Sequence, residues 1–69
     1  MRLALVRYRG GKSQNEMASK FGVSQQTWSF WESGKSTPTI QKMKRLEVAS
    51  GVSMEVLFPD VFSNAVASV

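Results

Sequence analysis

Apolar residues along this chain recur at three- and four-residue intervals, broken by glycines and small polar residues. Such spacing predicts short amphipathic helices, because strands would alternate apolar and polar positions. Leu3 and Val6 lie three apart with Tyr8 available for burial, which predicts a first helix over residues 2–9, stopped by Gly10-Gly11. Ser13 and Glu16 have the spacing of a capping box and open a second helix, with Met17, Ala18 and Phe21 on its buried side. Gly22-Val23 makes a tight turn. Ser24 then caps a third helix, Trp28 and Trp31 form its inward stripe as core fillers, and Gly34 closes it. After a loop over residues 35–38, Thr39 caps a fourth helix whose stripe is Ile40, Met43, Leu46 and Ala49, ending at Gly51. Ser53 caps a fifth, with Met54, Val56, Leu57 and Phe58 available for burial until Pro59 ends it. Beyond it, Val61, Phe62, Ala65, Val66 and Val69 suit a sixth helix capped by Asp60, the alternative being a disordered tail. The expected fold is an all-α compact bundle of five short helices. Residues 1–59 would form the domain, and residues 60–69 an apolar tail and candidate dimerisation element.

The outward face of the third helix carries the chemistry. Gln25, Gln26, Ser29 and Phe30 share a stripe opposite the tryptophans, so two amides, a hydroxyl and a ring face away from the core. A glutamine amide pairs a donor with an acceptor and can bond an adenine edge bidentately in the major groove. A net charge of +4 suits a polyanionic partner. Its distribution strengthens the point, since Arg2, Arg7, Arg9 and Lys12 precede any acid, and Lys35, Lys42, Lys44 and Arg45 follow the third helix with none among them.

Composition narrows the remaining classes. With 69 residues there is one domain, and without cysteine there is no disulfide framework. The absence of both Cys and His argues against a structural zinc site, so stability must come from helix packing and oligomerisation. No apolar run approaches the roughly 18 residues of a membrane span. Leu3 to Val6 is too short for a signal-peptide core, so a cytoplasmic protein is expected. Five carboxylates and no histidine offer no catalytic constellation. Neither an enzyme, a cofactor, a metal nor a small-molecule ligand is expected.

Several fragments stand in a telling order: Leu3-x-x-Val6-Arg7, Ser13-Gln14-x-Glu16-Met17-Ala18, Gly22-Val23-Ser24, Trp28, Trp31-Glu32-x-Gly34-Lys35, Pro38, Gly51-Val52-Ser53 and Leu57-Phe58. Together they resemble the phage repressor and Cro class of helix-turn-helix domains (lambda-repressor-like, or XRE family) over Leu3 to about Phe58. The resemblance implies a bacterial or phage transcriptional regulator, a repressor that binds operator DNA as a homodimer. It implies that Gln14 touches a phosphate and braces Gln25, and that Ser24, Gln25, Gln26, Ser29 and Phe30 face bases or nearby phosphates. Lys35 and Ser36 would meet the backbone just past the helix. The run Ser24-Gln25-Gln26-Thr27 is close to a subset of phage repressors that use paired glutamines, from which Phe30 departs. The resemblance also implies a partly buried ion pair between Arg7 and Glu32.

Lys12 and Glu47 stand where the family prefers apolar residues. Either they bridge the first turn to the fourth helix, or that helix is slightly rotated and both side chains reach water. A second functional class also fits the scaffold, a protein-interaction module such as an antitoxin. Salt dependence separates the two, since a DNA binder loses affinity steeply as salt rises.

Overall fold

The computed structural model of the chain describes residues 1–62. Residues 63–69, and with them most of the expected sixth helix and apolar tail, lie outside the described residues. Five helices follow in order: α1 (Leu3–Arg9), α2 (Gln14–Lys20), α3 (Gln25–Ser33), α4 (Ile40–Ser50) and α5 (Met54–Leu57). The described residues contain no strand.

Side chains start the middle helices as their spacing requires. The Ser13 hydroxyl accepts from the Glu16 N–H while Glu16 accepts from the Ser13 N–H, a reciprocal capping box. Ser24 accepts from the Thr27 N–H at 3.1 Å, and Thr39 from the Lys42 N–H at 3.3 Å. Gly34 ends α3 with φ of 87°, in the left-handed region that other residues enter only with strain.

The core is one cluster to which every helix contributes: Leu5, Met17, Ala18, Phe21, Trp28, Trp31, Met43, Leu46, Leu57 and Phe58. Aromatic rings form its centre. Phe21 stacks on Trp28 with centroids 5.8 Å apart, and Trp31 tilts against Trp28 at 5.7 Å. Tyr8 meets Phe21 edge-on at 6.5 Å.

The inward residues of α1 differ from the sequence expectation. Leu3 is 58% exposed, whereas Leu5 is fully buried. The motif Leu3-x-x-Val6-Arg7 recurs two residues later as Leu5-x-x-Tyr8-Arg9, and the fold uses this second frame. In α4 only Met43 and Leu46 of the expected stripe are buried, while Ile40 and Ala49 are exposed. Each step of three falls about 60° short of a full turn, so the three steps from Ile40 to Ala49 drift by about half a turn and the four residues cannot share one face. In α5, Leu57 and Phe58 are buried but Val56 is 56% exposed.

Four further expectations resolve differently around α5. Ser53 occupies the cap position, yet its side chain makes no capping bond. Instead the Glu47 carboxylate reaches from α4 and accepts from the Met54 N–H at 2.9 Å. Glu47 therefore does not bridge to Lys12, which is exposed, and neither residue forms an ion pair among the described residues. Residues 59–62 form a further helical turn. Pro59 opens that turn rather than only closing α5, since its missing N–H costs nothing at a first helical position. Asp60 thus lies within the turn, and its carboxylate serves Arg2 instead of a cap.

Candidate nucleic-acid interface

Helix α3 is held from its inner side by a buried carboxylate. Glu32 is only 5% exposed. It accepts from Arg9 Nε at 2.6 Å, Arg9 Nη2 at 3.3 Å, Gln14 Nε2 at 3.0 Å and Trp28 Nε1 at 2.5 Å. Burial alone would push this carboxyl up. The bonds from Arg9, Gln14 and Trp28, with the charge of Arg9, outweigh burial and hold it below the usual carboxylate range. The ion pair is therefore Arg9–Glu32, not Arg7–Glu32, and Arg7 is exposed. The two-residue shift of α1 explains the exchange, because it brings Arg9 to the place expected of Arg7.

A second knot forms around Arg2, which the sequence counts only among the cations that suit a polyanionic partner. Its residue exposure is 2%. Nε and Nη2 grip both oxygens of Asp60 at 2.9 Å, a bidentate pair. Nη1 donates to the carbonyls of Trp31 at 2.9 Å and Ser36 at 2.7 Å, and Nη2 also donates to the Thr37 hydroxyl at 2.9 Å. These contacts occupy all five guanidinium donors. The cation also lies 4.9 Å from the Phe58 ring centroid, and the Arg2 N–H donates to the Glu32 carbonyl at 2.6 Å. Arg2 holds Asp60 below the usual carboxylate range. Nothing in the sequence spacing marks this pair, whose members are separated by nearly the whole described chain.

On the outer side of α3, the expected site residues share a surface. Gln25 and Gln26 are exposed in the first turn, and neither amide has a hydrogen-bond partner among the described residues. Ser29 and Phe30 follow one turn later, both half-buried, and the Ser29 hydroxyl is also unbonded within the described residues. Ser24 is exposed, but its oxygen is committed to the cap and to Thr27 Oγ1 at 2.9 Å. Past the helix, Lys35 is exposed with its ammonium 4.9 Å from the Phe30 ring centroid. This gives Phe30 a local role, since the ring is a platform beside which Lys35 rests. The backbone N–H groups of Lys35 and Ser36 both donate to the Phe30 carbonyl, at 3.0 and 3.3 Å.

Gln14 stands apart from that surface. Its amide donates to Glu32, near the far end of α3, and makes no hydrogen bond to Gln25. Seven residues separate Gln25 from Glu32, about 10 Å of helix rise. The expected brace is absent. Two of the cations after α3 also make contacts to Phe21, Lys42 half-buried and Arg45 exposed. Lys42 donates to the Phe21 carbonyl at 3.4 Å, and the Arg45 guanidinium lies 5.6 Å from the Phe21 ring centroid.

Two short helices, α2 and α3, are thus joined by a tight turn at Gly22, whose φ is 70°. The first is tied to the second through Glu32, and the second presents an unsatisfied polar first turn. That arrangement defines a helix-turn-helix module. A family model described as Helix-turn-helix matches residues 3–57, and the chain belongs to this family, in its Cro/C1-type or XRE branch. It is accordingly a DNA-binding transcription regulator. No curated protein and no solved structure matches the chain. No helix among the described residues is long and apolar enough to cross a membrane.

Proposed function

We propose that the protein is a repressor that binds operator DNA as a homodimer, with the first turn of α3 in the major groove. The pair of exposed, unbonded amides at Gln25 and Gln26 carries this reading. An amide left free on a rigid helix keeps its donor and acceptor for a partner, and an adenine edge offers the matching pattern. Ser24, Ser29 and Phe30 flank these amides, the ring with a thymine methyl as its apolar counterpart. Lys35 and Ser36 contact the phosphate backbone, with the Lys35 ammonium supplying charge and the Ser36 hydroxyl a donor. Gln14 lies at the first residue of α2, and its remaining amide hydrogen is available to a phosphate.

One recognition helix covers only a few base pairs, so specific binding calls for two copies related by symmetry. The dimer patch comprises Val52, Met54 and Val56, with the apolar tail from Val61 on. Val56 is exposed and Val52 and Met54 are half-buried, which leaves apolar area for a second subunit. Residues 1–59 then form the DNA-binding unit, and residues 60–69 contribute to association through the apolar side chains from Val61 on, not through Asp60, whose carboxylate is bonded to Arg2.

Selection of bound sequences from a random duplex pool tests the proposal. The expected product is an inverted repeat with half-sites about 10 base pairs, one helical turn, apart. A single asymmetric half-site would remove the dimer, and no enrichment at low salt would remove the DNA reading.

A further inference from the structure

Lys35 and Ser36 lie in the loop that joins α3 to α4, and among the described residues Arg2 supplies the hydrogen bonds that reach this loop from outside α3 and α4. The Lys35 and Ser36 N–H groups bond the Phe30 carbonyl, and the Lys35 N–H also bonds the Ser33 hydroxyl, while Arg2 donates to the Ser36 carbonyl and the Thr37 hydroxyl. A guanidinium is planar, so fixing one edge fixes the other. Asp60 fixes the first edge with both oxygens, and the loop hangs from the second. We propose that Arg2 and Asp60 are positioning residues for the phosphate contact of this loop, so that the segment after α5 sets the grip on DNA. The inference rests on the DNA-binding reading above and adds Thr37 to the contact group. Thr37 is exposed, and its oxygen already accepts from Arg2. Its own hydroxyl hydrogen is what it has left to give, and a phosphate oxygen is the acceptor it suits.

Asp60 supplies a test in which two effects have opposite signs. Asp60 is 53% exposed in its side chain, and Asp60→Asn raises the net charge by one. Bulk electrostatics then predicts tighter binding to any duplex. Positioning predicts weaker binding, because the amide no longer fixes the guanidinium edge. Full-length Asp60→Asn and Asp60→Glu proteins are titrated onto the selected site and onto mixed-sequence duplex, at a temperature where all are folded. Sedimentation at the same concentrations reports association. The expected result is a loss of roughly fivefold on both duplexes for Asp60→Asn, the scale of one weakened charge-assisted hydrogen bond, with association unchanged and partial recovery in Asp60→Glu. Equal or tighter binding overturns the proposal, as does weakening that follows loss of the dimer.

Thr37→Val tests the donor separately. It should weaken both duplexes by roughly tenfold and leave the salt slope unchanged, because a neutral donor releases no counterion. Lys35→Ala should reduce that slope by about 0.9 per bound subunit, about 1.8 for the dimer. Unchanged binding in Thr37→Val removes Thr37 from the contact. If the unmodified protein binds neither duplex at low salt, the DNA reading itself fails. If it binds normally and Asp60→Asn binds more tightly, only the positioning role fails.

Discussion

On the inner side of α3, the Glu32 carboxylate accepts four hydrogen bonds from Arg9, Gln14 and Trp28. In the first turn of the same helix, about 10 Å away along its axis, the amides of Gln25 and Gln26 have no partner among the described residues. The two ends divide the work. A buried carboxylate that is fully bonded fixes where the helix lies and resists movement, since losing any donor leaves a desolvated charge. Exposed amides contribute little to the fold and keep their hydrogen-bonding capacity for a ligand. On the proposed DNA-binding reading, stability and recognition can therefore be altered separately on one helix of nine residues.

The strongest way to break the comparison is at Glu32. Glu32→Ala strands the buried Trp28 indole N–H and unpairs Arg9, at a cost of about 3–5 kcal/mol. Exposed Glu55 has no bonded partner among the described residues, so Glu55→Ala should cost about 0.5 kcal/mol or less. Thermal denaturation of both proteins checks the contrast, and equal melting temperatures would mean that Glu32 is solvated in solution. The pH dependence follows from the lowered carboxyl. Glu32 contributes fully above the ordinary glutamate value of about 4.3, and the contribution is lost as pH falls through the lower folded value. Acid should thus destabilise the unmodified protein more than Glu32→Gln.

Next in size is the choice of frame in α1. Leu5→Ala should cost about 2–5 kcal/mol, as for a fully buried leucine, and Leu3→Ala at most about 0.5 kcal/mol. Urea denaturation of the two variants decides which leucine faces the core, and the reverse order would restore the other frame. On the outer face the effect appears in binding and not in melting. Gln25→Ala or Gln26→Ala should lose about 1–3 kcal/mol on the selected site and little on random duplex. Equal losses on both duplexes would show that these amides do not read bases.

The caps of α2, α3 and α4, the helix order and the outer face of α3 were legible in the sequence because each had one solution. Only one residue stood at each cap position, and the two tryptophans left a single inward side for α3. Helix α1 offered two solutions of equal quality, Leu3-x-x-Val6-Arg7 and Leu5-x-x-Tyr8-Arg9, and spacing alone cannot rank them. The misplaced Arg7–Glu32 pair follows directly from that ambiguity. Glu47 was conspicuous as a charge at an apolar position, but its partner is a backbone N–H, which no side-chain pattern announces. Arg2 and Asp60 were illegible for a related reason. Their contacts depend on where distant carbonyls point, and the residues supplying those carbonyls have ordinary side chains.

The Arg2 knot also bears on why the chain has one fold instead of two. If Leu3 took the socket of Leu5, α1 would slide by two residues, about 3 Å, and rotate by more than half a turn. The Gly10-Gly11 pair gives the following loop enough freedom to absorb that slip. The apolar core would accept the exchange at modest cost, since one leucine replaces another. The guanidinium would not, because the slip carries it away from the Trp31 and Ser36 carbonyls, the Thr37 hydroxyl and Asp60 together. Only one threading satisfies all five of its hydrogens, so a single cation removes a degeneracy that the leucines leave open.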